Sequence, residues 1–351
     1  MAIGILAGGS LHLADCRPIN TQLQLERSAG MNIVFLSSGA FGIPTLKLLL
    51  GGHHRILAVI SQPDRPAGRG RHFTPTPVAQ FAQDHGLPVT TTANVNAPEL
   101  LAQMAALAAD VLVVIAFGQK LSDDLLAKAP HGGINLHASV LPEFRGAAPI
   151  NRAILSGCTH TGVSVIQVTR RMDAGDILGV CHTPIGDTET AGELHDRLAD
   201  LGAPLLVHVL DQLDSGKPLP AIPQDESRAS AAPKLSRTMS WVDFTQSATE
   251  VSARIRGLSP WPGCAVNVFT AEAKLRTGAI LHKCRANTDA PIPPHTIPGS
   301  VLSDHTIACG TGTLSILALQ PAGRKMMDLS AFINGYGLAA GYRLQSVPPA
   351  G

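Results

Sequence analysis

The chain has 351 residues, of which 45% are hydrophobic and 15% charged, with a formal net charge of +1. This balance excludes a disordered acidic or basic tail protein and leaves enough chain for two cored domains. The near-neutral total hides an uneven distribution, net −3 over residues 31–235 and net +4 over 236–351, which hints at an anionic partner for the C-terminal part, although a difference this small more often means nothing.

Residues 1–30 fit nothing that follows and are read as an extension; the opening Met1-Ala2-Ile3-Gly4 lacks the basic start of a signal peptide. From residue 31, short apolar runs alternate with helical stretches. Strands are expected at 33–36, 56–60, 111–115, 134–137 and 163–168. Helices are expected over 44–50, 77–85, 98–108 and 149–155; each opens on a proline, whose missing N–H would have no partner in the first turn anyway. A long helix over 190–213 closes the region. Strand–helix alternation with apolar strands predicts an α/β domain over 31–216 built on a mostly parallel, doubly wound sheet.

Residues 217–235 have a linker composition, rich in Pro, Ser and acidic side chains. The rhythm then changes. A helix at 249–257 precedes short strands at 265–269, 279–284, 299–302, 306–309 and 314–319, separated by Gly and Pro, which suggests a small β-barrel over 236–345. The six cysteines form no C-x-x-C pair and suit free thiols in a reducing cytosol. No apolar run reaches the roughly 18–20 residues that span a bilayer. Residues 105–117 come nearest, and Asp110 interrupts them.

The most informative segment is Gly133-Ile134-Asn135-Leu136-His137-Ala138-Ser139-Val140-Leu141-Pro142. Alternate residues of a strand share a face, so Asn135 and His137 point the same way, at the carboxyl edge where open α/β sheets place their ligands. An amide donor beside an imidazole can polarise a carbonyl and hold the oxyanion that follows. Taken alone, a hydrogen-bonded strand-end Asn and a core-edge His explain the pair equally well. Asp173, in Asp173-Ala174-Gly175-Asp176, could orient His137 or relay a proton, although an ordinary Asx turn accounts for its spacing. Arg65, Arg69 and Arg71 lie in a Gly- and Pro-rich loop that suits phosphate contact or simple solvation. There is no G-x-G-x-x-G, P-loop, H-E-x-x-H or G-x-S-x-G, and the histidines lack metal spacing.

Four separated segments, in order and spacing, resemble the methionyl-tRNA formyltransferase family. They are Gln62-Pro63-Asp64-Arg65-Pro66-Ala67-Gly68-Arg69-Gly70; Asn135-Leu136-His137-Ala138-Ser139-Val140-Leu141-Pro142 running on to Arg145-Gly146-Ala147-Ala148-Pro149-Ile150; Met172-Asp173-Ala174-Gly175-Asp176; and a C-terminal set with Pro233-Lys234-Leu235-Ser236, Pro260-Trp261-Pro262-Gly263 and Leu319-Gln320-Pro321-Ala322-Gly323. The resemblance implies a Rossmann-like formyltransferase domain followed by an OB-like barrel. It implies transfer of the formyl group of 10-formyltetrahydrofolate to the amino group of methionyl-initiator tRNA, in the cytoplasm, by a monomer needing neither metal nor membrane. Asn135, His137 and Asp173 would be the catalytic set, and Ser139, Val140, Leu141 and Pro142 would line the folate site. Arg65, Arg69 and Arg71 would contact tRNA. The alternative is a formyltransferase for an amino-sugar nucleotide, which the arginine loop and the 319–323 segment argue against. Glu143 departs from the family pattern by standing where a basic residue is common.

Overall fold

The computed structural model describes residues 30–67 and 72–347. The reading of 1–30 as an extension, and Arg69 and Arg71, lie outside the described residues apart from Gly30.

Seven strands form the first sheet: β1 (Asn32–Ser37), β2 (Arg55–Ser61), β3 (Val89–Thr91), β4 (Val111–Ile115), β5 (Gly133–His137), β6 (His160–Gln167) and β7 (Ile177–Pro184). Their spatial order is β7-β6-β5-β4-β1-β2-β3. The pairs β1–β2, β1–β4, β2–β3 and β4–β5 are parallel, and β5–β6 is antiparallel. Besides the single turn Asp123–Leu126, the helices are α1 (Ile43–Leu50), α2 (Pro77–Asp84), α3 (Pro98–Leu107), α4 (Pro149–Leu155), α5 (Ala191–Asp214), α6 (Ala248–Gly257) and α7 (Leu329–Tyr336). Parallel strands covered on both faces read as unbroken apolar runs, and Ile33 through Leu36 and all of β4 are buried accordingly. The expected mostly parallel, Rossmann-like sheet is therefore present. Two of its strands were not expected: β3 is a short, half-exposed edge, and β7 contains Gly179, His182 and Pro184, which break the apolar pattern.

Strand β5 matters most for position. A Cβ added to Gly202 of α5 would come within 2.7 Å of the Leu136 side chain, so the helix seats directly on the middle of β5. Chain order reverses between β1 and β4, and the carboxyl ends there are tied by the Ser38 hydroxyl, which donates to the Phe117 carbonyl at 3.3 Å. This is the switch point at which such sheets open a crevice.

By its contacts the chain divides into two compact units, whose described residues are 30–67, 72–147, 162–183 and 195–232 in the first and 148–161, 184–194 and 233–347 in the second. Segment 217–232, linker-like in composition, is thus built into the first unit. Ala231–Ala232 pairs in parallel with Arg145–Gly146, and Ile222 bridges Ile177.

In the second unit, strands β8 (Cys264–Phe269), β9 (Leu275–Asn287), β10 (Ile307–Ala308), β11 (Thr313–Pro321), β12 (Met327–Asp328) and β13 (Arg343–Ser346) form an antiparallel, OB-like sheet. Its order is β10-β11-β9-β8-β13, with β12 pairing β11. Alternate residues of β8 are buried, and the core gathers Val251, Ile255, Val266, Leu281, Ile316 and Phe332. Register shifts around Lys283 bend the long strand β9, as closure of a small barrel requires. The strand expected at 299–302 reduces to single bridges at Ser300 and Val301, where Gly299 (φ +88°) packs against the Leu344 carbonyl. Among the described residues, Cys158, Cys264, Cys284 and Cys309 are free thiols, whereas Cys181 is disulfide-bonded, contrary to expectation at that position. Burial pushes the Cys264 and Cys284 thiols up to about 12, which makes them packing residues rather than nucleophiles.

Helix α6 starts on a capping box: the Glu250 N–H donates to the Ser247 hydroxyl at 3.3 Å, and the Ser247 N–H donates to the Glu250 carboxylate at 3.0 Å. Ser247→Ala should lower unfolding stability by about 1 kcal/mol, measured as a shift of the urea midpoint.

Candidate functional site

Strand β5 delivers Asn135 and His137 to one face at its carboxyl end. The His137 ring is buried, and Asn135 is half-buried. The His137 Nε2–H donates to the Phe144 carbonyl at 3.0 Å. A carbonyl only accepts, so this contact places a proton on Nε2. Nδ1 then faces Asp173, whose Oδ1 lies 3.7 Å away, within ion-pair reach and beyond a hydrogen bond. The other carboxylate oxygen of Asp173 accepts from the Gly146 N–H at 2.8 Å. One short loop, 144–146, therefore grips the imidazole with a carbonyl and the carboxylate with an N–H. The Asn135 amide has no hydrogen-bond partner among the described residues and is left able to donate.

The structure thus brings His137 and Asp173 within 3.7 Å, with Asn135 two residues before His137 on the same strand. Asp173 reaches the pair only because its backbone turns through the left-handed region (φ +52°). The next tight point is Gly175, where an added Cβ would come within 1.8 Å of the Gln167 carbonyl.

Ser139, Val140, Leu141 and Pro142 follow β5. The Ser139 hydroxyl is buried and donates to the Glu143 carbonyl at 2.6 Å. The Ser164 hydroxyl donates to the Ser139 carbonyl and accepts from the Leu141 N–H. Leu141 packs with Ile166, Ile177 and Val180, with Val140 against them, and the Leu141–Pro142 bond is cis. The Ser139 and Leu141 side chains face inward and shape this turn. Arg65 lies on an exposed two-stranded ribbon (Arg65–Ala67 with His72–Thr74), and its guanidinium donates to the Gln62 side chain. An open depression of about 390 Å³ is lined by Asn96, Lys120, Leu121, Ser122, Asp123, Asp124 and Arg170, in the loops after β3, β4 and β6.

Sequence reasoning missed the residues that hold this site. Gln224 donates to the carbonyls of Asp173 and Gly175, and Ser230 accepts from the Phe144 N–H. Both sit in a stretch whose composition signals only a linker. The Glu143 carboxylate pairs with Arg228 at 3.0 Å, so the departure from the family pattern is charge-compensated within the chain. Sequence spacing also missed a His53–His54–Asp211 cluster. There His54 Nδ1 accepts from the Met31 N–H, which puts its proton on Nε2 facing Asp211 and leaves no lone pair for a cation.

A polar cluster at the carboxyl end of a mostly parallel sheet, with a separate OB-like unit, defines the class. Residues 31–210 match the family described as Formyl transferase, and 234–337 match Formyl transferase, C-terminal domain. A methionyl-tRNA formyltransferase of Methylococcus capsulatus is 42% identical over 88% of this chain and 98% of its own length. That of Cereibacter sphaeroides is 40% identical over 89% and 99%. The chain belongs to the methionyl-tRNA formyltransferase family. A solved N-formyltransferase from Helicobacter canadensis, in complex with folinic acid and dTDP-3-aminofucose, shares the fold with a TM-score of 0.58 at 14% identity, covering 83% of this chain and 99% of that one. Among the described residues no helix is long and apolar enough to cross a membrane.

Glu226 receives both Arg145 and Arg171, at 3.0 and 2.8 Å. The Arg145 hydrogen bond, then that of Arg171, holds its carboxyl at about 2 against an ordinary 4.5. A lowered carboxyl stabilises the fold fully above its ordinary value and loses that contribution as pH falls toward the folded one. Glu226→Gln should therefore melt below wild type near neutral pH, with the gap closing between about pH 4.5 and 2, as read from unfolding temperatures across that range.

Proposed function

We propose that this chain transfers the formyl group of 10-formyltetrahydrofolate to the α-amino group of methionyl-initiator tRNA, in the cytoplasm. The observation that carries the reading is the approach of a carboxylate (Asp173) to an imidazole with one nitrogen committed (His137) at the end of a buried strand that also carries Asn135 two residues earlier. The neutral amine attacks the formyl carbon, and the carbonyl oxygen takes on negative charge. The Asn135 amide donates to that oxygen. Because Nε2–H is committed to the Phe144 carbonyl, His137 donates through Nδ1, as an imidazolium whose charge the facing Asp173 balances. Asp173 then accepts the amine proton, directly or through water. The bond from the formyl carbon to N10 of the folate breaks, and N10 takes up the proton that Asp173 received from the amine as tetrahydrofolate leaves. No covalent enzyme intermediate is required, because the donor is already activated, and no step calls for a metal.

The folate would lie against the turn at Ser139, Val140, Leu141 and Pro142, which would form a wall through its backbone. The tRNA would meet Arg65, with Arg69 and Arg71, and the barrel over 236–345, which lies in the net +4 stretch 236–351. The division into a catalytic domain (31–216), a connecting stretch (217–235) and a tRNA-binding domain belongs to the same proposal. Acceptance of an amino-sugar nucleotide is disfavoured, because the relatives at about 40% identity along nearly their whole length are methionyl-tRNA formyltransferases.

Asn135→Ala and His137→Ala should each lower kcat by about 10²–10³-fold, the usual loss for one oxyanion donor, with tRNA binding nearly intact. Near-normal turnover in both would refute the assignment. Arg65→Ala should raise KM for methionyl-tRNA and reduce the slope of log affinity against log salt by about one unit, leaving KM for the folate unchanged. An unaltered salt slope would count against tRNA contact.

A further inference from the structure

Gln224 ties the Asp173 turn to the loop gripping His137 from both sides of its amide. Its Oε1 accepts from Nε and Nη2 of Arg145, at 3.0 and 2.7 Å. A guanidinium only donates, so the amide cannot be flipped, and its Nε2 must face the carbonyls of Asp173 and Gly175, at 2.9 and 2.7 Å. All four contacts of the amide are spent within this site.

What the amide holds is strained. Asp173 has a positive φ of +52°, unfavourable for a residue with a Cβ, and that turn aims one carboxylate oxygen at the Gly146 N–H and the other toward His137 Nδ1. Gly175 rests against the Gln167 carbonyl of β6, so the turn has the strand as its floor and Gln224 as its tie. The same segment braces the opposite loop. The Arg145 N–H donates to the Ser230 carbonyl, the Phe144 N–H donates to the Ser230 hydroxyl, and Ala231–Ala232 pairs with Arg145–Gly146. Every backbone group that touches the His137 ring or the Asp173 carboxylate is thereby one bond from segment 224–232.

We propose that Gln224 is a positioning residue for formyl transfer: it holds the Asp173 turn in register with the 144–146 loop and so sets the approach of carboxylate to imidazole, without touching either substrate. The proposal rests on the reading of His137 and Asp173 as the reacting pair.

The test uses the full chain with 10-formyltetrahydrofolate and methionyl-tRNA, and compares Gln224→Ala, Gln224→Glu, Asp173→Asn and the double variant Gln224→Ala with Asp173→Asn. The Glu variant keeps the acceptor for Arg145 but offers no donor to the two carbonyls, so segment 224–232 stays docked while the tie is lost. Both single variants at 224 should lower kcat about 10–100-fold, the scale of a misplaced reacting group. KM for each substrate should stay within about twofold, as it does when only transition-state interactions are lost. The double variant should be no slower than Asp173→Asn, because the tie acts only through that carboxylate. Unchanged kcat, a raised KM for tRNA at normal kcat, or losses that multiply in the double variant would overturn the proposal. Full turnover in Asp173→Asn would instead remove the underlying assignment of the chemistry, so the two failures are told apart.

Discussion

A backbone carbonyl and a backbone N–H, two residues apart in one loop, hold the two side chains around which the site is organised. The Phe144 carbonyl takes the His137 Nε2–H, and the Gly146 N–H takes Asp173. A neutral hydrogen bond contributes about 1 kcal/mol net, and one to a charged group about 1.5–3 kcal/mol. These contacts are therefore modest as stability and decisive as geometry, because they settle which ring nitrogen is free and where the carboxylate points. The loop is itself secured by Ser230 and by pairing with Ala231–Ala232, so a stretch that looks like a connector frames the His137–Asp173 pair.

The strand beneath has its own constraint. Leu136 lies between Asn135 and His137 on the opposite face and meets α5 where Gly202 leaves room. Any slip of β5 by one residue would bury the polar pair and expose Leu136, so packing on the helix side specifies which residues reach the crevice. The Ser164 hydroxyl, bonded to both Ser139 and Leu141, then fixes the chain as it leaves the strand.

How much of this was legible follows from the range of each signal. The apolar runs of β1, β2, β4 and β5 were readable because a parallel strand covered on both faces must be apolar throughout. Asn135 and His137 were readable because two polar residues on one face of such a strand demand partners or a site. Strand β7 was not, because Gly179, His182 and Pro184 hide it. Asp173 stood out only by resemblance, since an Asx turn satisfies its local pattern. Gln224, Ser230 and Arg228 gave no signal, because polar residues in a Pro- and Ser-rich stretch look alike whether solvated or bonded to a site.

By itself, then, the sequence determined the alternation of strand and helix, the change to short antiparallel strands beyond residue 257, and the face shared by Asn135 and His137, all of which depend on neighbours within a few positions. Only the tertiary structure decided that Nε2 of His137 is the committed nitrogen, that the Glu143 charge is met by Arg228, and that the stretch around Gln224 braces the site. Those outcomes join residues far apart in the chain, and such pairings are selected by the packing of the whole unit rather than by any local preference.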